Sequence, residues 1–416
     1  MRGAGALPLV LVLATVVAVA QTKPWVEAGG IPLPSGKRSV GILRHNEPLF
    51  SRPDARSARR GTAIQGAHLP LFGATEGPGC AGRWLSVGPA AWVCSTHVRL
   101  SPTAALTPRT ASPRFPDGLP YHYYFVGPDG SLGYAGLAHA EEGAPDAELQ
   151  PGFALAVIRV ANKAPGDAFG LTTHRLWVPM RDLGAARPSL FHGIELSGGL
   201  DLGWVVVDSA PVYGKPGGRR LTHAVRTHFE KVAVLETVTR HHHRWFRVGT
   251  DQWMSDRELR VPTPASLPVD LRPGERWIDV DTENQILTAY EGKKPVFATL
   301  VSTGKGREGS ELATPKGAFH IWVKLRSTDM DNLENEEASR YYAIEDVPWV
   351  MFFKKGYGLH GTFWHRSFGH VRSHGCVNLT PLDAERLFYW AGPRLPAGWS
   401  AVLPTRHDPG TLVRVR

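Results

Sequence analysis

Cysteine is scarce in this chain: Cys80, Cys94 and Cys376 are the only three in 416 residues. That is too few for a disulfide scaffold. Cys80 and Cys94 flank a single hairpin, and two readings stay open for them, a disulfide or two buried thiols. An odd count in an exported protein leaves one free thiol, and with the disulfide that thiol is Cys376. Long hydrophobic runs are missing too, with one exception. Arg2 is followed by an apolar run from Ala6 to Ala20 that ends Ala18-Val19-Ala20. Residues 1–20 therefore read as a secretory signal, cut before Gln21. The run is short for a full membrane span, and no later stretch is long and apolar enough to make one. No Cys follows the cut, so no lipid anchor is expected there. The expectation is an exported protein of the periplasm or cell envelope, with no stable membrane span after signal removal.

Nucleic-acid motifs are also absent, and no Lys/Arg block exists beyond Arg56 to Arg60. The net charge of +9 then reads as a solvated basic surface. It would suit an anionic envelope better than a nucleic acid. What is plentiful is Gly (45) and Pro (34), which favours short strands and turns over long helices.

A tail from Thr22 to Pro34 leads into short apolar runs broken by Gly, Pro, Asp and Arg. The first module, 35–105, closes on Arg83-Trp84-Leu85-Ser86-Val87-Gly88 and Ala91-Trp92-Val93. That phrase returns as Arg244-Trp245-Phe246-Arg247-Val248-Gly249 with Gln252-Trp253-Met254, in a module at 200–262. Upstream, Pro48-Leu49-Phe50 with Pro53 is echoed by Pro211-Val212-Tyr213 with Pro216. This is an internal repeat. The pattern resembles the bacterial SH3-like barrel, a small cell-wall-targeting fold. Between the copies, 101–120 reads as a linker and 115–195 as a β-rich middle module. There Trp177 to Leu183 looks like another strand end of the same type. Tyr121, Tyr123 and Tyr124 suit either a glycan groove or core packing on one sheet face. His241-His242-His243 cannot all reach one ion from a strand, because alternate side chains face opposite sides; they read as a hairpin turn.

After a Pro-rich joint, 272–405 is the C-terminal domain. Trp277 to Asp281 and Ile286 to Tyr290 form a hairpin, and Lys294 to Thr303 a third strand. Residues 326–346 are polar and acidic (Asp329, Asp331, Glu334, Glu336, Glu337) and break the strand pattern. The chemistry concentrates in His360 to Asn378, HGTFWHRSFGHVRSHGCVN. A Cys becomes a strong nucleophile when a placed base takes its proton. Gly375 lets the backbone turn and brings the Gly375 and Cys376 amides up to a substrate carbonyl as an oxyanion hole. Thr380, Pro381 and Asp383 then signal a helix start, running to Trp390 and stopping at Gly392. Its positive end would help a nearby thiolate.

His360-Gly361-Thr362, a gap, then Ser373-His374-Gly375-Cys376-Val377-Asn378 resembles the signature of the L,D-transpeptidase catalytic domain, the YkuD-like family. Thr314-Pro315-Lys316-Gly317 matches a turn of the same family. The resemblance implies a catalytic set of Cys376 as acyl-accepting nucleophile, His360 as base and the Gly361 carbonyl to orient it. Ser373, His374, Gly375 and Asn378 fill the remaining motif positions, Asn378 on the substrate side. The family carries a lid at 326–346, so Tyr341, Tyr342 and Trp364 become candidate cleft walls; the alternative is an ordinary loop with its aromatics tucked inward.

The fold so implied is mostly β: a C-terminal β-sandwich or barrel with a short helix after the Cys, preceded by SH3-like modules. The implied partner is a peptidoglycan stem peptide, with neither cofactor nor metal. The implied reaction is transfer of the stem acyl group, through a thioester, to an amine in a 3–3 cross-link. Water in place of the amine would make it an L,D-carboxypeptidase. Two further rivals are a metal site on His360, His365, His370, His374 and Cys376, whose spacing matches no Cys/His zinc pattern, and a non-catalytic wall-binding protein. His365 and His370 are expected to be exposed.

Overall fold

The computed structural model of the protein describes residues 34–107, 115–164, 167–269, 271–272, 274–333 and 342–416. The expected signal at 1–20, Tyr341, and Glu334, Glu336 and Glu337 lie outside the described residues. Among those described the chain is mostly β, with two α-helices, Leu137–Glu142 and Pro381–Trp390.

The sequence repeat is a repeat of register. In the first module Trp84 pairs with Cys94, Ser86 with Trp92 and Gly88 with Ala91. In the third, Trp245 pairs with Ser255, Arg247 with Trp253 and Gly249 with Gln252. Both hairpins carry an irregularity at the same place, just before Gly88 in one and Gly249 in the other. Both turn on a left-handed non-glycine residue, Ala90 (φ 48°) and Asp251 (φ 52°). Phe50 pairs with Trp92 and meets Trp84 edge-on at 5.5 Å. Tyr213 pairs with Trp253 and meets Trp245 edge-on at 5.1 Å. Such an aromatic pair adds about 0.5–1.5 kcal/mol beyond its burial in each copy. In the middle module a strand at Trp177–Pro179, a 3-10 turn at Met180–Asp182 and a strand at Leu183–Ala185 follow the order that ends the first module. Cys80 and Cys94 form a disulfide, so Cys376 is the free thiol.

The first module is joined to the C-terminal domain through its sheet. Strand Arg59–Ala63 pairs with Trp399–Val402, and Trp399 lies in the first module's core. Gly61 permits the approach: a Cβ there would sit 2.5 Å from the Ala401 carbonyl oxygen and 2.6 Å from the Trp399 ring. The domain also runs past the expected boundary at 405. Strand Leu412–Val415 pairs in parallel with Arg276–Asp281 and antiparallel with Gly317–His320. The C-terminal core under the site is built from Ile278, Val280, Leu287, Leu359, Val377, Leu379, Leu387 and Phe388.

The expected break at 326–346 is smaller than the sequence suggests. Strand Val323–Asp331 continues through the polar residues and pairs back with Ala343–Lys354, down to Asp331 against Ala343. The polar groups have partners, so the strand persists: Asp329 accepts from the Asp346 amide at 2.9 Å and meets His174 of the middle module at 3.0 Å. The middle module docks on this hairpin, with Ala154 paired in parallel to Ile344. Tyr123 is buried there, its ring 4.2 Å from Phe363, so it packs as core and does not line a groove.

Candidate active site

Two parallel strands make the floor. Tyr357–Gly361 runs beside Val377–Leu379, with Leu359 opposite Val377 and His360 opposite Asn378. Side chains alternate along a strand. Leu359, Val377 and Leu379 therefore enter the core, while His360, Asn378 and, one step before the strand, Cys376 share the other face.

His360 is 2% exposed. Its Nδ1 lies 3.2 Å from the Gly361 carbonyl oxygen and 3.4 Å from Thr362 Oγ1. A proton on Nδ1 donated to that carbonyl leaves the Nε2 lone pair free to act as a base. Trp364 stacks on the imidazole, centroids 5.7 Å apart. Burial pushes the His360 pKa down to about 4, against the smaller opposing pull of the Gly361 carbonyl. The Cys376 thiol donates to the Gly356 carbonyl at 3.7 Å. Burial raises its pKa, opposed by a hydrogen bond from the Gly358 amide. Both shifts favour the neutral forms, a thiol at Cys376 and an imidazole at His360.

Two sequence expectations about the thiol change here. The helix at Pro381–Trp390 does begin at Thr380, whose side chain accepts from the Asp383 amide at 3.3 Å. The strand Val377–Leu379 separates that N-terminus from Cys376 by roughly 10 Å of extended chain, beyond the reach of a terminal dipole. The Gly375 amide is not a free oxyanion donor either. It donates to Ser373 Oγ at 3.1 Å, and Ser373 Oγ donates in turn to the Cys376 carbonyl. Ser373 thus ties the 373–376 turn from within. Gly375 has φ +126°, and a Cβ there would lie 2.5 Å from Tyr357 Cε1, so only glycine fits.

The four histidines do not converge. His374 is exposed, with its Nε2 3.2 Å from Lys305 Nζ and its ring stacked on Tyr342 at 6.1 Å. His365 and His370, expected to be exposed, are half-buried and serve as ties. His370 Nε2 meets the Val206 carbonyl at 2.7 Å, joining this loop to the third module. His365 Nδ1 accepts from the Ser367 amide at 3.1 Å, so its proton sits on Nε2, 2.9 Å from the Asn378 side-chain amide. Asn378 then turns its oxygen to that N–H, which gives the otherwise orphaned Oδ1 a partner. Burial, then Arg372 and His360, push His365 down to about 4. Asn378 is 3% exposed and pairs its backbone with Ser302, so it is held firmly in the floor of the site.

Tyr342 is half-buried, and its hydroxyl pKa is raised by burial and by neighbouring Cys376. Sequence reasoning missed two buried charges. Asp383 accepts from the Gly193 amide at 2.8 Å and from Thr299, and burial lifts it to about 6. Lys324 donates to the Phe388 and Ala391 carbonyls, and burial lowers it to about 7. It closes the C-terminal end of the site helix; nothing around Lys324 in the sequence signals this.

Residues 275–415 match the family model of the L,D-transpeptidase catalytic domain, YkuD. This C-terminal third therefore carries an L,D-transpeptidase catalytic domain, with the fold that the motif implied. Among solved structures the chain is similar to a Cys-to-Ser mutant of the Enterococcus faecium L,D-transpeptidase (24% identity, 34% of this chain and 50% of that one, TM-score 0.26). It is also similar to the L,D-transpeptidase of Stackebrandtia nassauensis (28%, 34% and 55%, TM-score 0.23). A third is L,D-transpeptidase 3 of Mycobacterium tuberculosis bearing a faropenem-derived adduct (18%, 43% and 69%, TM-score 0.27). The match spans about half the length of the first two. No curated protein matches.

Proposed function

We propose that this chain is an exported L,D-transpeptidase of peptidoglycan, with Cys376 as nucleophile and His360 as base. The observation that carries the reading is the His360–Gly361 contact, which leaves Nε2 as the basic nitrogen on the face shared with Cys376. With a stem tetrapeptide bound, His360 Nε2 takes the thiol proton as Sγ attacks the carbonyl carbon of the third residue. Because the resting pair is neutral, proton transfer and attack belong to one event. The Cys376 amide supports the oxyanion. The intermediate collapses, the imidazolium gives its proton to the leaving nitrogen, and D-alanine departs from a thioester. The side-chain amine of a second stem attacks, His360 takes its proton, and the thiol is restored with a 3–3 cross-link formed. No step calls on a cofactor.

Trp364, beside His360, and Tyr342, beside Cys376, serve as cleft walls. The hairpin repeat supports SH3-like modules that present the domain to the wall. The test is product analysis with a disaccharide-tetrapeptide. A cross-linked dimer plus free D-alanine supports the transferase. Tripeptide plus D-alanine, with no dimer, makes the chain an L,D-carboxypeptidase. Unchanged tetrapeptide with sedimentation on isolated wall leaves a binding protein.

A further inference from the structure

Lys305 stands at the rim of the site with a charge that the mechanism does not use. Its Nζ lies 3.2 Å from His374 Nε2, two residues from the nucleophile. Among the described residues no carboxylate lies within salt-bridge distance of it. Its ammonium rests against one imidazole nitrogen, so at least two of its three N–H bonds remain for another acceptor.

The position is fixed. The Lys305 amide donates to the Ser373 carbonyl at 3.1 Å, which binds this loop to the turn that carries Cys376. The glycines on either side let this loop pack closely on the segment around Leu312. A Cβ on Gly304 would lie 2.4 Å from the Leu312 carbonyl oxygen, and one on Gly306 would lie 2.6 Å from the Leu312 carbonyl carbon. Gly304 is held further by its amide bond to Thr314 Oγ1 at 2.8 Å. Lys305 is half-buried, so the charge keeps part of its strength against solvent screening. Tyr342 stacks on His374, so an aromatic wall stands beside the ammonium on the turn that carries Cys376.

We propose that Lys305, with His374 beside it, is the specificity-determining site for the free C-terminal carboxylate of the donor peptide. This rests on the transpeptidase reading and goes beyond it by naming the group recognised and the residue that recognises it. When the sulfur attacks the penultimate carbonyl, the terminal carboxylate lies only one residue further on, within span of a four-carbon side chain rooted on the adjoining loop. An ion pair with charge-assisted hydrogen bonds holds it there. A donor whose carboxylate is lost or moved one residue outward forfeits the contact.

The experiment measures binding and acylation separately. Calorimetry on Cys376→Ala compares a tetrapeptide acid with its C-terminal amide, with and without Lys305→Met. The acid is expected to bind about ten- to a hundredfold tighter than the amide. Lys305→Met should erase that ratio while leaving the amide's affinity unchanged, and Lys305→Arg should keep most of it. In the enzyme with Cys376 present, Lys305→Met should slow acylation by the acid and leave the rate of alkylation by iodoacetamide alone. Equal affinity for acid and amide in the parent, or an equal loss on both in Lys305→Met, overturns the proposal. The binding arm needs no catalysis: acid-selective binding without acylation would sink the transpeptidase reading and leave the carboxylate site standing.

Discussion

The imidazole of His360 faces the carbonyl of its own neighbour, Gly361, through Nδ1 at 3.2 Å. A backbone group therefore does the orienting that a carboxylate does in many Cys–His pairs, and it brings no negative charge into the site. Without that charge the backbone hydrogen bonds offset burial only in part, so His360 falls to about 4 and the Cys376 thiol rises. Iodoacetamide should thus label resting Cys376 slowly at pH 7, with a rate that climbs only above the ordinary thiol range. Labelling that is fast and flat from pH 5 to 8 would indicate a preformed thiolate–imidazolium pair.

The same shift has a cost in stability. His360 titrates at about 4 when folded, against 6.5 for a free imidazole. Between those values the unfolded chain binds more protons, so stability falls as pH drops from 6.5 towards 4. The loss is about 3 kcal/mol from this group. Asp383 and Glu345, raised to about 6 and about 7, act in the opposite direction. The difference between parent and His360→Asn cancels them. The parent should lose stability relative to the variant across that window, as read by urea unfolding at pH 7 and pH 4.

His174 bridges two carboxylates of the long hairpin, Asp329 at 3.0 Å and Glu345 at 3.5 Å, and is raised to about 9. A raised folded pKa stabilises fully below 6.5, and the contribution is lost as pH climbs through about 9. Half of the ring is exposed, so the effect is modest. His174→Gln should lower the melting temperature at pH 6 and have no effect at pH 10, and hydrogen exchange in Ala343–Lys354 should rise with it.

Gly375→Ala places a methyl group against the Tyr357 ring and strains a φ of +126°. The turn carrying Cys376 must shift, and a shift of about 1 Å costs on the order of a hundredfold in rate. Acylation should drop by about that much while circular dichroism stays unchanged. Tyr357→Ala in the same chain should not restore it, because the backbone strain remains.

Much of this was legible in the sequence. The motif singled out His360, Gly361 and Cys376, and the structure sets the His360 ring against the Gly361 carbonyl. The repeated Arg-Trp-x-x-Val-Gly phrase carried a hairpin that recurs residue for residue in register. What stayed hidden depends on partners distant in sequence. The tie between Asn378 and His365 is one case, since no spacing in the motif signals it. The Gly375 amide reads as an oxyanion donor until Ser373 folds back onto it. The stretch at 326–346 reads as a polar interruption because its partners, His174 and Ala154, belong to another module. Lys324 could not be foreseen at all, since its acceptors are helix-end carbonyls sixty-odd residues on.

The central claim is that Cys376 carries the acyl group, and intact-mass spectrometry tests it most directly. The purified protein is mixed with a disaccharide-tetrapeptide or a carbapenem, beside Cys376→Ala and His360→Asn. The account expects a one-to-one adduct on the parent, reduced by the mass of D-alanine when the tetrapeptide is used. It expects none on Cys376→Ala, and strongly slowed formation on His360→Asn. An unmodified parent whose Cys376 still reacts with a thiol reagent would contradict it.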